Sequence, residues 1–247
     1  MYLNMIIVQR HFRALLLVSC LFFGSHLASA NSEFRVVASI KPVHSILAGL
    51  MEGIESPELL VSGSNTPFNY RPDGQKMEGL STADLVVWVG PELEAFLVEP
   101  LSQLGPETHL VTLLDNPSLK ILDSRWDNEK RDPFFWLDSR NGLILIDELT
   151  RALVKVDPGR SHLYKRNRNK VFERMALLDR KLEYGYRGLK KGVAFAYYDT
   201  QQYFEQAYAL KIGDSIAERP DTQIDTADFL KARNNLATGG YSCLLIE

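Results

Sequence analysis

Side chains able to hold a metal or drive catalysis are few in this chain, and they are poorly spaced for either task. Outside the first thirty residues the histidines are His44, His109 and His162. None stands three or four residues from a second ligand type, the spacing that puts two donors on one helix face. The acids Asp132, Asp138 and Asp199 flank aromatic segments. Carboxylates can hold a hard cation weakly, but Asp199 ends a strand just before a helix and equally fits an N-cap. There is no nucleophile elbow, phosphate-binding loop or paired-carboxylate signature, so an enzyme is not expected. What does cluster is aromatic: Phe68 in TPFNY, Phe134, Phe135 and Trp136 in DPFFWLDS, and Tyr197 and Tyr198 in FAYYDT.

Composition bounds what these residues can serve. The chain has 247 residues, 45% hydrophobic and 24% charged, with a formal net charge of -3. That is ordinary globular composition, and without a basic block a nucleic-acid partner is not expected. Residues 1–30 carry Arg10 and Arg13, an apolar run from Ala14 to Phe23, and a terminal Ala28-Ser29-Ala30. This pattern predicts a secretory signal peptide cleaved after Ala30. The apolar run is too short for a membrane span of about 20 residues. A lipoprotein anchored at Cys20 is the alternative. Cleavage removes two arginines and no acid, which takes the formal charge to -5, and leaves Cys243 without Cys20. The mature chain is expected to be soluble, periplasmic and monomeric.

The periodicities past the leader alternate between strand and helix. FRVVASI (34–40), PELLVSG (57–63), DLVVWVG (84–90) and THLVTLL (108–114) read as buried strands, with helical patterns after the first three. Residues 115–133 read as a polar loop and 139–158 as a helix. A longer helix follows, with Val171, Met175, Leu178 and Leu182 as its apolar stripe. GVAFAYYD (192–199) restarts the strand pattern, followed by two helices and a last strand in YSCLLIE. Such alternation predicts an α/β fold with mainly parallel sheets covered on both faces. The expected organisation is an N-terminal α/β lobe over 31–158, a connecting helix over 159–190 and a C-terminal α/β lobe over 191–247.

With the elements in place, several segments resemble the zinc-uptake solute-binding proteins of bacterial ABC transporters. VVASIKPVHSILAGLMEG, ADLVVWVGPELEAFL, DPFFWLD, FAYYDTQQYFEQAYAL and YSCLLIE each look like a segment of that family, and the likeness spans 34–247. It implies two α/β lobes joined by a long helix, a ligand cleft between them, and an ABC permease as partner. It also implies that the family runs on past Glu247, so the second lobe reads as incomplete and Cys243 as parted from its cysteine. The family's zinc ligands are three histidines, usually with a carboxylate. Carried over one at a time, the histidine slots fall on Phe68, Phe134 and Tyr198.

A phenylalanine has no lone pair to offer, and a tyrosine ligates only as phenolate, costly near neutral pH for a phenol of pKa about 10. Zinc is therefore implied by resemblance alone; no cofactor is expected, and zinc binding is expected to be weak or lost. Phe135, Trp136, Tyr197 and Asp199 are the remaining candidates for lining the cleft. Two outcomes stay open: three rings that plug the cleft, which needs no ligand, or an apolar pocket for a different solute. The competing reading is a metal-free paralogue that acts as a binding or interaction protein through an aromatic-filled cleft.

Overall fold

The computed structural model describes residues 34–72, 74–188 and 192–246. The leader, its cleavage after Ala30, and Glu247 lie outside the described residues. Two parallel sheets form the framework. The first has strand order β2-β1-β3-β4, with β1 Val36–Ala38, β2 Glu58–Leu59, β3 Leu85–Trp88 and β4 His109–Thr112. The second has order β6-β5-β7, with β5 Val193–Tyr198, β6 Lys211–Ala217 and β7 Cys243–Leu245. Every strand pairing in both sheets is parallel. β1 and β3 are buried along their whole length. That is why they read as unbroken Val/Leu runs: a central parallel strand has helices on both faces.

Helix boundaries follow local chemistry. α1 (Lys41–Leu50) carries a proline in its first turn, where the missing N–H costs nothing. The chain leaves it through Gly53 at φ +83°. α2 is Gly74–Ser81. The helix expected from ELEAFLVEPLSQL shrinks to one 3₁₀ turn (Ala95–Leu97) and a single α-helical turn, α3 (Val98–Ser102). α4 (Ser139–Val156) is capped by the Asp138 side chain, which accepts from the Arg140 backbone N–H. α5 is the long helix, Ser161–Arg187. α6 is Gln202–Tyr208, and α7 (Thr226–Thr238) starts with a reciprocal capping box between Asp225 and Asp228. The sequence pattern contains no signal for β6, because Lys211, Gly213, Asp214 and Ser215 interrupt it.

The main core lies around the first sheet, α1, α4 and the N-terminal half of α5. α5 touches α1 and α4 at two points of close approach. A Cβ on Gly49 would sit 2.8 Å from Val171 Cγ2, and one on Gly142 would sit 3.0 Å from Met175 Cε. The stripe expected on α5 is corrected at its third position: Leu178 is 47% exposed. The inward face steps from Met175 to Asp179, whose carboxylate accepts from the Ser139 hydroxyl (2.5 Å) and the Tyr208 phenol (3.1 Å). A polar residue holds the position that a purely apolar search assigns to its neighbour.

Asn167 carries the contact between α5 and α1. Its amide is fully buried and donates to the carbonyls of Leu50 (3.0 Å) and Glu52 (2.8 Å), which lack helical partners at the end of α1. Asn167→Leu keeps the bulk and removes both donors. The expected loss is about 1–3 kcal/mol of unfolding free energy, from one buried and one part-buried acceptor left bare. Urea denaturation measures it; a change below about 0.5 kcal/mol would mean that the clamp is dispensable.

Candidate functional site

The segment 132–139 is built from the backbone outward. The Asp132 N–H donates to the Leu122 carbonyl (2.8 Å), and the Asp132 carbonyl accepts from the phenol of Tyr203 (3.0 Å). The same phenol accepts from the Leu122 N–H (2.8 Å). Asp132 Oδ1 accepts from the Phe134 N–H (2.9 Å), and a 3₁₀ turn over Phe135–Leu137 follows. Asn141 closes the turn by donating to the Phe135 carbonyl (3.1 Å). A second turn presents Phe68: the Asn69 side chain accepts from the Thr66 N–H (2.8 Å), and the Tyr70 N–H donates to the Thr66 carbonyl (3.0 Å).

These turns bring the three substituted positions to one place. Phe68, Phe134 and Tyr198 line a cavity of about 350 Å³, together with Trp136, Leu93, Ile40, Lys41, Pro42, Val61, Asn65, Thr66, Pro67 and Pro220. Ile40, Val61 and Leu93 follow the carboxyl ends of β1, β2 and β3. Tyr198 ends β5, and Pro220 follows β6. The cavity thus sits where a parallel α/β fold places its ligands, beyond the carboxyl ends of the strands. Phe134 packs edge-to-face on Trp126 (5.8 Å) and on Trp136 (5.5 Å). The three rings line this space and do not fill it.

The other candidates divide. Trp136 lines the cavity, whereas Phe135 is fully buried in the core, because the 3₁₀ turn sends successive side chains in different directions. Tyr197 packs edge-to-face on Tyr198 (4.7 Å) and is not part of the lining. Asp199 does not cap α6, whose N-cap is Gln201. It accepts from Arg125 (2.7 Å), which also pairs with Glu205. Of the histidines, His44 bonds the Pro57 carbonyl through Nε2 (2.9 Å) and His109 sits in β4. Among the described residues no group of three His, Cys, Asp or Glu side chains is placed to hold a metal ion. Cys243 is exposed.

Sequence reasoning passed over Lys41 and Asn65, which had no motif to mark them, and also a second, charged recess. That recess, of about 320 Å³, shares Pro67, Phe68 and Leu93 with the first. Three ion pairs line it, Arg131 with Glu92 (2.5 Å), Lys130 with Asp127 (3.1 Å), and Arg219 with Asp221, and Arg71 adds a further cation.

Two buried carboxyl groups frame the cavity from behind. Glu94 is fully buried at the end of β3, and burial pushes its carboxyl up to about 7 although Oε2 accepts from the N–H groups of Val89 and Gly90. Burial likewise raises Asp132 to about 6, against the Phe134 N–H and the charge of Arg125.

Comparison with known proteins bears on the family and the fold. A family model described as "Zinc-uptake complex component A periplasmic" matches residues 36–247. The chain is 26% identical over 267 residues to the high-affinity zinc uptake system protein ZnuA of Brucella abortus, covering 92% of this chain and 79% of that protein. It is 24% identical over 210 residues to the metal ABC transporter substrate-binding lipoprotein SsaB of Streptococcus sanguinis, covering 78% of this chain and 67% of that one. The fold is similar to that of the periplasmic zinc binding protein TroA from Treponema pallidum, with TM-score 0.76, 18% identity, and coverage of 87% of this chain and 78% of that one. It is also similar to the Zn(II)-bound ZnuA-like domain of Streptococcus pneumoniae AdcA, with TM-score 0.73, 17% identity, and the same two coverages.

Asp132 generates a pH prediction. Its folded carboxyl titrates near 6, against about 3.9 for an unfolded aspartate. The folded state therefore holds the extra proton between about pH 4 and 6, and stability falls as pH rises through that window. Asp132→Asn keeps an acceptor for the Phe134 N–H and removes the charge. It is expected to stabilise the protein by up to about 2–3 kcal/mol at pH 7.5 and by almost nothing at pH 4. Denaturation of both proteins at the two pH values measures this; a difference independent of pH counts against it. Glu94 titrates with the same sign but is unchanged in both proteins, so it cancels.

Proposed function

The chain belongs to the family of periplasmic zinc-uptake components, and from that premise we propose an extracytoplasmic solute-binding protein of the zinc ABC-uptake type whose zinc site has been lost. The family's role is transport rather than catalysis. Secretion by cleavage after Ala30, or anchoring at Cys20, and delivery to an ABC permease belong to the same proposal. Among the described residues no helix is long and apolar enough to cross a membrane.

The observation that carries the reading is the residue content of the cavity. Phe68, Phe134 and Tyr198 line it where the resemblance expects imidazoles, and among the described residues its wall contains no histidine, cysteine or carboxylate. Zinc takes imidazole, thiolate or carboxylate donors in a tetrahedral set. A phenol, an ammonium, an amide and a hydroxyl, from Tyr198, Lys41, Asn65 and Thr66, make a poor substitute. The alternative, a metal-free paralogue working through an aromatic cleft, draws support from the same lining and from the open volume.

Zinc titration against a chromophoric chelator tests the proposal. The parent protein is expected not to compete. The triple variant Phe68→His, Phe134→His, Tyr198→His is expected to bind zinc at least about a hundredfold more tightly than the parent, since three imidazoles would then face one space. Stoichiometric zinc binding by the parent would sink the lost-site reading.

A further inference from the structure

The cavity is apolar over most of its wall, yet its rim carries a charge with no opposite. Among the described residues Lys41 is the only charged one in the lining. Its Nζ donates to the Gly63 carbonyl (2.8 Å), which uses one of three ammonium hydrogens and neutralises none of the charge. Lys41 is also the first residue of α1, whose N-cap, Ile40, makes no side-chain cap. The positive end of that helix therefore adds to the same potential. The rest of the wall includes Phe68, Phe134 and Trp136. Aromatic faces alone would favour a cation, but a lysine with no ion pair among the described residues opposes one. The volume lies at the small end of ligand pockets, which run from roughly 300 to 1,000 Å³.

We infer that this cavity binds a small aromatic carboxylate, its ring among the aromatic side chains and its carboxylate at the Lys41 ammonium. The inference rests on the reading that zinc is not the ligand. Rings stack on rings at offset or edge-on angles, and an ammonium–carboxylate contact at the rim supplies orientation and discrimination by charge.

The test is calorimetric titration of the purified protein, with Trp fluorescence as a second readout, using phenylacetate, 2-phenylethanol and phenethylammonium. Phenylacetate is expected to bind at least about tenfold more tightly than 2-phenylethanol, and phenethylammonium most weakly. Lys41→Met keeps the stem and removes the charge; it is expected to erase the preference for phenylacetate while leaving 2-phenylethanol binding in place. Equal affinities for the three probes, or an unchanged preference in Lys41→Met, would overturn the inference. Zinc is titrated on the same sample to separate the two levels. No binding of either zinc or phenylacetate removes this inference and leaves the lost-site reading standing; stoichiometric zinc binding removes the reading beneath it.

Discussion

The phenol of Tyr203 is the contact on which the cavity depends. The residue comes from α6, beside the second sheet, and is fully buried. Its oxygen accepts from Leu122 and donates to Asp132, two backbone groups in a stretch with little regular structure. Buried backbone N–H and C=O groups need partners, and a loop at this depth has few. One hydroxyl satisfies both. It thereby sets where Asp132 stands, and Asp132 in turn sets the turn that presents Phe134 and Trp136. Burial holds the phenol well above the usual tyrosine range, so it stays a donor under any physiological condition.

Two buried carboxyl groups perform similar work at a thermodynamic cost. Glu94 gathers the amides of Val89 and Gly90 where β3 ends. Gly90 takes φ +150°, where a side chain would be strained, and a Cβ there would press on Leu114 Cδ1 at 2.9 Å. Leu93, next to Glu94, then reaches the cavity. Glu94 and Asp132 both resist ionisation in place. Each acts as an acceptor that orients backbone. That separates the frame of the cavity, which is polar and buried, from its wall, which is aromatic and aliphatic.

The position of the cavity is a property of the fold and its contents are a property of a few side chains. Five strand ends converge on it, and parallel strands leave their carboxyl ends on one side whatever residues occupy the loops. A change at Phe68 or Phe134 alters the ligand chemistry from loops, and one at Tyr198 does so from the last residue of β5. The ion pairs around Arg125 add little to this frame, since partly exposed pairs contribute about 0–1 kcal/mol.

Much of this was legible in the chain itself. The buried Val/Leu runs follow from residue type and spacing, because burial of a central strand is a local rule. The resemblance marked three positions that line the cavity: Phe68 in TPFNY, Phe134 in DPFFWLDS and Tyr198 in FAYYDT. What escaped was decided by contacts between distant segments. β6 forms because β5 offers it an edge, not because KIGDSIA has a strand pattern. α5 turns Asp179 inward in place of Leu178 because Ser139 and Tyr208 wait there to donate. Phe135 enters the core while Phe134 and Trp136 face the cavity, a division made by one 3₁₀ turn. The same holds for the open space itself. Sequence determined which side chains surround the cavity, but whether three rings close on one another or stand apart depends on backbone positions set some tens of residues away, and only the tertiary structure decided that.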